Sequence, residues 1–273
     1  MFDFFSLQFV QYSLIAGLAI AIAGAVLGNF IVAARQSFIS EVLAHTALSG
    51  VGLGVLLNFF PTFVAGIVSV FVAGLLWFLV RGSSRTPESV GMVLLTGGLA
   101  LALLFAHIAR DNSISFDSFL FGSVLTLSFL EVVLTVLVSV CVLLVLFCFW
   151  SRFLLVVFDP VYARTRFSSS VFFEFLFLFL VSLVVSFSLK VIGGLLIGAL
   201  FVIPTLCAQN FARSFRASVV WSVLFAVSGV FLGVLSSYFL DVPASSGIVL
   251  SLILMFVFSS VFSFFLRSNK SLS

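Results

Sequence analysis

Two side chains that can bind a metal ion lie four residues apart early in the chain. Glu41 and His45 fall in a segment that is otherwise small or apolar. On a helix this spacing puts both on one face, with Cβ atoms about 5–6 Å apart. A carboxylate oxygen and an imidazole nitrogen suit Zn²⁺, Mn²⁺ or Fe²⁺. The pair predicts a metal site, but two ligands leave a tetrahedral ion incomplete, and a plain intrahelical pair at a helix end fits the spacing equally well.

The other titratable side chains have structural explanations. His107 stands beside Arg110 and Asp111, which is typical of a membrane interface. Glu131 and Glu174 fall in the first turns of apolar segments, where a carboxylate is mildly favourable. Six more acids fall in the N-terminal tail or in loops: Asp3, Glu88, Asp111, Asp117, Asp159 and Asp241. Three cysteines lie in apolar runs without a C-x-x-C pair and are expected to act as small hydrophobic residues: Cys141, Cys148 and Cys207.

The composition decides which kind of scaffold carries the pair. Of 273 residues, 63% are hydrophobic, 8% are charged and 38 are Phe, and the mean hydropathy is +1.41. A soluble domain of this size cannot hide so much apolar surface, and the same figures exclude disorder or a disulfide-built module. The net charge of +3 is better explained by basic cytoplasmic loops than by a nucleic-acid partner. The chain is expected to be a polytopic membrane protein.

Apolar runs long enough to cross a bilayer predict an all-α bundle of about nine transmembrane helices, with eight as the alternative. The predicted spans are 8–33, 42–58, 62–80, 90–108, 128–150, 170–188, 191–209, 217–239 and 244–266. The break at Ser186–Lys190 is weak, so the two flanking segments also fit a broken or re-entrant helix. No polar stretch is long enough for a soluble domain, so residues 1–273 are expected to form one transmembrane domain.

The basic residues predict an orientation. If the C-terminus is cytoplasmic, nine spans place the N-terminus outside, with Arg110 and Lys190 the only basic residues on that side. The other ten of the 12 then face the cytoplasm, as the positive-inside rule requires: Arg35, Arg81, Arg85, Arg152, Arg164, Arg166, Arg213, Arg216, Arg267 and Lys270.

Two further patterns concern assembly. Four G-x-x-x-G pairs predict close helix packing, either inside the bundle or at a dimer interface: Gly24 and Gly28, Gly50 and Gly54, Gly194 and Gly198, Gly229 and Gly233. The chain has no G-x-x-x-x-G-K-[ST] loop for nucleotide phosphates. Any ATP-driven step would therefore need a separate subunit.

Four segments resemble one family of membrane proteins. Ser40–Leu56, SEVLAHTALSGVGLGVL, resembles the acid-x-x-x-His-x-x-x-x-Gly-Val signature of zinc, manganese and iron ABC importer permeases. Leu189–Ala208 is similar to the K-V-x-G-x-L-L-x-x-A-L-x-x-x-P segment of that family. Ser113–Leu127 contains its L-F-G-x-x-L stretch, and Asp241–Leu250 is similar to its late D-x-P-x-G-x-x-I-V-L turn with one residue shifted. The four occur in the family's order along nearly the whole chain.

The resemblance implies a non-enzymatic permease subunit of a bacterial cytoplasmic (inner) membrane importer. The permease would pair with a second permease chain, identical or related, two cytoplasmic ATPase subunits and an extracytoplasmic metal-binding protein. It implies that Glu41 and His45 form a transient site for the transported metal, with no permanently bound cofactor. Family members commonly have Asp in place of Glu41, so the longer side chain is a departure that could change metal preference.

The resemblance also gives the loop 159–167 a role as the cytoplasmic coupling helix that contacts the ATPase. Asp159 and Ala163 match the family pattern there, and Arg164 follows them. Phe167 stands where Gly is usual, which leaves the end of the coupling helix open. The alternative is a solvated basic loop.

Other functions remain to be distinguished. A permease for a metal chelate such as haem, a siderophore or cobalamin would need a wider path and gives no reason for the Glu41–His45 pair. A secondary cation transporter would work without an ATPase and would usually carry more acids within its spans. An intramembrane metalloenzyme would need a fuller ligand set such as H-E-x-x-H, which this sequence lacks. The identity of the metal is left open.

Overall fold

The computed structural model describes residues 8–81, 86–109, 116–122, 127–166, 169–194, 196–240 and 243–270. Asp3, Arg85, Arg110, Asp111, Phe167 and Asp241 lie outside these ranges. Most of the described residues are helical, and none of them forms a strand. Their helices are α1 (Gln8–Ala33), α2 (Ile39–Leu56), α3 (Pro61–Val80), α4 (Pro87–Ile108), α5 (Asp117–Leu120), α6 (Phe129–Cys148), α7 (Trp150–Phe158), α8 (Pro160–Arg166), α9 (Ser170–Ile192), α10 (Ile197–Gln209), α11 (Phe215–Leu240) and α12 (Ala244–Lys270).

Eight of these helices are long and apolar enough to cross a membrane: α1, α2, α3, α4, α6, α9, α11 and α12. The segment predicted as the span 191–209 instead contains α10, a helix of 13 residues. At 1.5 Å per residue α10 is about 20 Å long, shorter than the roughly 30 Å of a hydrocarbon core. The all-α membrane bundle is confirmed. Among the described residues eight helices are candidate spans, and α10 is a shorter apolar helix in place of the ninth.

The chain bends between α9 and α10, later than predicted. The weak break expected at Ser186–Lys190 is wrong, because α9 continues through these residues to Ile192. It ends at Gly193, whose φ of +90° few residues other than glycine adopt. Lys190 therefore lies in the last turn of a helix and not in a loop. Beyond the bend, α10 runs towards the end of the bundle where Asn210 contacts Ser259 of α12.

The four glycine pairs pack inside the chain. Gly24 and Gly28 face α10, Gly50 and Gly54 face α3, Gly194 and Gly198 face α2, and Gly229 and Gly233 face α12. The approach is close: a Cβ at Gly50 would lie 2.7 Å from Ala65 Cα. Without side chains at these positions the helix backbones can come together, which is the main source of packing energy between helices in lipid. The interpretation as packing inside the bundle is confirmed for all four pairs.

Helix α2 is the centre of this arrangement. Fifteen of its 18 residues are buried, and α3, α4, α9 and α10 pack around it. The neighbouring helices contact α2 at small residues; for example, Gly98 of α4 lies against Thr46. The helix that carries the candidate metal ligands is thus the one most enclosed by the rest of the chain.

Candidate metal transport site

Glu41 and His45 lie in the first two turns of α2 and face each other. Glu41 Oε1 is 3.9 Å from His45 Nε2, so the structure brings together the two residues that the spacing singled out. A tetrahedral ion bound to both atoms at normal metal–ligand distances would hold them about 3.4 Å apart. A change of a few tenths of an ångström in either side chain would therefore let one ion bridge the two.

The two side chains differ sharply in exposure. The side chain of Glu41 is 59% exposed and that of His45 is 8% exposed, and Glu41 is the one exposed residue within α2. His45 Nδ1 is buried and has no hydrogen-bond partner among the described residues. Buried polar atoms are usually paired, and exceptions concentrate where a ligand or ion binds. The pair thus offers one ligand at the surface of the bundle and one just inside it.

The bend between α9 and α10 forms the wall opposite the pair. A Cβ built at Gly198 would lie 3.7 Å from Glu41 Cβ and 3.9 Å from Ser40 Oγ. One turn earlier, a Cβ at Gly194 would lie only 2.7 Å from Leu48 Cδ1. The Gly194–Gly198 pair therefore seats the bend tightly against α2 near Leu48 and leaves open space beside the carboxylate.

The bend is itself held by two other parts of the chain. Gly194 N donates a hydrogen bond of 2.9 Å to Phe119 O in α5, and the backbone of Gly193 lies against Phe121 and Gly122. Ser245 Oγ, at the start of α12, donates to Phe121 O. Segments that are far apart in the sequence thus converge on one backbone contact beside α2.

Two candidate ligands lie together here in the part of the chain that the structure describes. Within the described residues, no three His, Cys, Asp or Glu side chains come close enough together to hold a metal ion. The other histidine, His107, is exposed in the last turn of α4, as expected for an interfacial residue. Among these residue types, the described part of the chain brings only Glu41 and His45 together at this place.

Comparison with known proteins identifies the scaffold. The model of the ABC 3 transport family matches residues 6–263. The chain belongs to this family. A zinc uptake system membrane protein, ZnuB of Haemophilus influenzae, is 24% identical over 247 residues, which cover 90% of this chain and 95% of the relative. The manganese import system permease protein ScaB of Streptococcus gordonii is 28% identical over 256 residues, covering 92% of this chain and 90% of the relative.

A solved structure agrees with these relatives. The structure of PsaBC from Streptococcus pneumoniae in complex with Fab matches with a TM-score of 0.83 and 25% identity, covering 93% of this chain and 91% of that chain. The ABC 3 family chain is therefore a multi-pass permease of the inner membrane. The family recognised from four short segments is confirmed.

The loop that was predicted to couple the permease to an ATPase contains α8. Asp159 Oδ1 accepts a hydrogen bond of 2.9 Å from Tyr162 N, which caps the start of this helix. Ala163 is buried, whereas Val161 and Tyr162 are exposed. Arg164 Nη2 lies 3.0 Å from Glu174 Oε1 and ties α8 to α9. The helix is thus held to the bundle on one side and presents apolar side chains on the other.

The sequence missed two ion pairs in this permease, that between Arg164 and Glu174 and that between Lys190 and Glu131. Glu131 caps α6 together with Ser128, as its position at a helix start suggested. Its carboxylate also accepts hydrogen bonds of 2.7 and 2.8 Å from Lys190 Nζ. Because 59 residues separate the two, no local pattern in the sequence could have paired them.

Proposed function

We propose that this chain is the permease subunit of an ABC importer for Zn²⁺ or Mn²⁺, and that Glu41 and His45 bind the ion in transit. The observation that carries this proposal is the 3.9 Å approach of a carboxylate and an imidazole on the most enclosed helix of an ABC 3 family fold. Both relatives named above carry one of these metals in their names. Fe²⁺ accepts the same donor atoms and remains a prediction from the ligand chemistry alone.

The exposure of Glu41 supports a shared site. If two permease chains meet around a twofold axis that passes beside Glu41, each contributes the same two residues, giving four ligands around one path. This arrangement would complete the shell that a single chain leaves incomplete. A site assembled from two chains also releases its ion when the chains move apart, which suits transport better than a rigid cage inside one chain.

The remaining parts of the importer follow from the same proposal. A binding protein delivers the ion to the outer face, and a separate ATPase subunit contacts α8 and supplies the energy. The exposed Val161 and Tyr162 give that subunit an apolar surface to pack against. The Arg164–Glu174 ion pair would transmit its movement to α9, and so to the bend beside Glu41. In this proposal residues 1–273 form one transmembrane domain, with 159–167 as its coupling loop.

The site is tested by replacing His45. The complete importer, with its ATPase and binding protein, is reconstituted in vesicles, and ATP-dependent uptake of ⁶⁵Zn²⁺ and ⁵⁴Mn²⁺ is measured. His45→Ala is expected to reduce uptake at least about tenfold, since losing a metal ligand typically costs more than 1.4 kcal/mol of binding. Assembly with the ATPase should be unchanged.

The second histidine provides the matched control. His107→Ala removes an exposed imidazole from the end of α4 and should leave uptake intact. Normal uptake by His45→Ala would rule out the proposed site. Uptake that continues without the ATPase or ATP would favour a secondary transporter instead.

A further inference from the structure

The Glu131–Lys190 pair fixes the last turn of α9 to the first turn of α6. Lys190 Nζ contacts both carboxylate oxygens of Glu131, and the two side chains are only 17% and 20% exposed. Glu131 Oε2 also accepts hydrogen bonds from Ser128 N and Ser128 Oγ at 2.9 and 3.0 Å. Charged groups in membrane helices are costly and mark functional positions by default. This pair is not a metal ligand, so its role must lie elsewhere.

The ion pair borders a cavity beside the same turn of α9. A cavity of about 390 Å³ lies between the start of α3, the start of α6 and the end of α9, and its lining is mostly apolar but includes Glu131 and Lys190. Phe60, Phe63 and Leu134 in its lining are exposed, so the cavity opens at the surface of the bundle and no packed side chain blocks the turn in that direction. The residues that face the cavity include Phe60, Phe63, Leu134, Phe187, Lys190 and Val191.

The turn leads directly to the metal ligands. Lys190 is followed at Gly193 by the end of α9, and Gly194 lies against Leu48, one turn beyond His45. Gly198, on the far side of the bend, faces Glu41. Movement of the last turn of α9 into the cavity would therefore draw the bend away from α2. That movement would open the side of the site that lies towards Glu131. Because α6 runs from Glu131 to the opposite end of the bundle, where the basic segment 152–166 follows it, the positive-inside rule places Glu131 at the outer face.

We infer that Lys190 and Glu131 are positioning residues that hold the α9–α10 bend closed over the outer side of the Glu41–His45 site. Breaking the ion pair lets the last turn of α9 shift into the apolar cavity and admits water from the outside. The consequence for transport rests on the proposed function, whereas the movement itself does not require any metal.

Access to the site can be measured with one cysteine. Gly198→Cys is placed in a chain whose three native cysteines are replaced by Ala, because a Cβ at this position meets its neighbours at ordinary distances. The permease is kept with its ATPase in native membranes. Labelling by a membrane-impermeant thiol reagent is then timed from the outer and the inner side, without metal.

The expected result is a change on one side only. Lys190→Met should speed labelling from the outside about tenfold or more, because a tenfold shift in a closed-to-open equilibrium corresponds to about 1.4 kcal/mol. Labelling from the inside should be unchanged. Lys190→Arg retains the charge and should label slowly. Ser128→Ala removes the cap of α6 but keeps the ion pair, and should also label slowly.

A second variant distinguishes loss of the ion pair from misfolding caused by an unpaired charge. Glu131→Gln/Lys190→Met leaves no unpaired charge and retains an oxygen that can cap α6, yet it lacks the ion pair, so it should label as fast as Lys190→Met. Slow outer labelling in both variants would overturn the inference. Failure of both to assemble with the ATPase would assign the pair to folding and overturn it as well.

The two proposals fail separately. If labelling is unchanged while His45→Ala abolishes uptake, the metal site stands and the closing role of Lys190 is lost. If labelling accelerates while His45→Ala transports normally, the bend moves as described but the metal passes elsewhere.

Discussion

The backbones of Gly122 and Gly193 lie directly against each other at the end of α9. A Cβ at Gly193 would be 2.5 Å from the carbonyl carbon of Phe121 and 2.6 Å from the nitrogen of Gly122. The φ angles of the two glycines are +74° and +90°. Sterics and backbone conformation both therefore require glycine at Gly193, and this contact is one of those that hold the α9–α10 bend in place.

Gly193→Ala should destabilise the permease. The left-handed φ costs an ordinary residue about 1–3 kcal/mol, and the overlap with Phe121 adds a further penalty of similar size. We expect a clear drop in the unfolding temperature of the purified protein and loss of the bend's fixed position.

Gly97→Ala in α4 is the matched control for this prediction. A Cβ there meets nothing within 4 Å, and alanine favours helix by about 1 kcal/mol over glycine. Its unfolding temperature should equal or exceed that of the parent. Equal stability of Gly193→Ala and the parent would show that the contact is not required.

The sequence predicts those features that depend on local pattern. Apolar runs of about twenty residues predict the helices because only such segments satisfy their backbone in lipid. The spacing of Glu41 and His45 predicts their shared face because helix geometry alone determines it. Hence the helices and the two candidate ligands follow from the sequence.

Features that depend on contacts between distant segments do not follow from it. The pairing of Glu131 with Lys190 and the hydrogen bonds from Asn29 to Ser222 and from Ser218 to Asn29 arise only once the helices have packed. The bend was predicted too early because Ser186 and Lys190 look like a polar break, although both lie within α9. What ends α9 is the room that Gly193 makes for Gly122, and that requirement is visible only in three dimensions.

Glu41→Asp should change which metal is transported rather than stop transport. Shortening the side chain by one methylene keeps the charge but draws the carboxylate back along α2, away from its position 3.9 Å from His45. Metal ions differ in the ligand types and coordination geometry that they prefer, so a changed distance between the carboxylate oxygen and the imidazole nitrogen should affect Zn²⁺ and Mn²⁺ unequally. We therefore expect the ratio of Zn²⁺ to Mn²⁺ uptake, measured by competition in reconstituted vesicles, to shift about tenfold, equivalent to about 1.4 kcal/mol.

Two further variants make the Glu41 prediction specific. Glu41→Gln removes the charge and should reduce uptake of both metals. Glu88→Gln alters an exposed acid at the start of α4 and should leave both the rate and the metal ratio unchanged. Parent-like selectivity in Glu41→Asp together with parent-like uptake in Glu41→Gln would show that this carboxylate does not bind the ion.

Asp159→Ala should weaken the proposed contact between the permease and its ATPase, because α8 has only seven residues and such a short helix depends on its cap and its packing. The hydrogen bond from Tyr162 N to Asp159 Oδ1 is lost in this variant, at a cost of about 1 kcal/mol. Val161 and Tyr162 would then no longer be held in place for the ATPase. We expect weaker co-purification of the ATPase and less stimulation of its activity by the binding protein. Asp159→Asn keeps an oxygen at the same position and should retain both the co-purification and the stimulation. If Asp159→Asn loses them as Asp159→Ala does, the ATPase requires the charge of Asp159 and not the cap of α8.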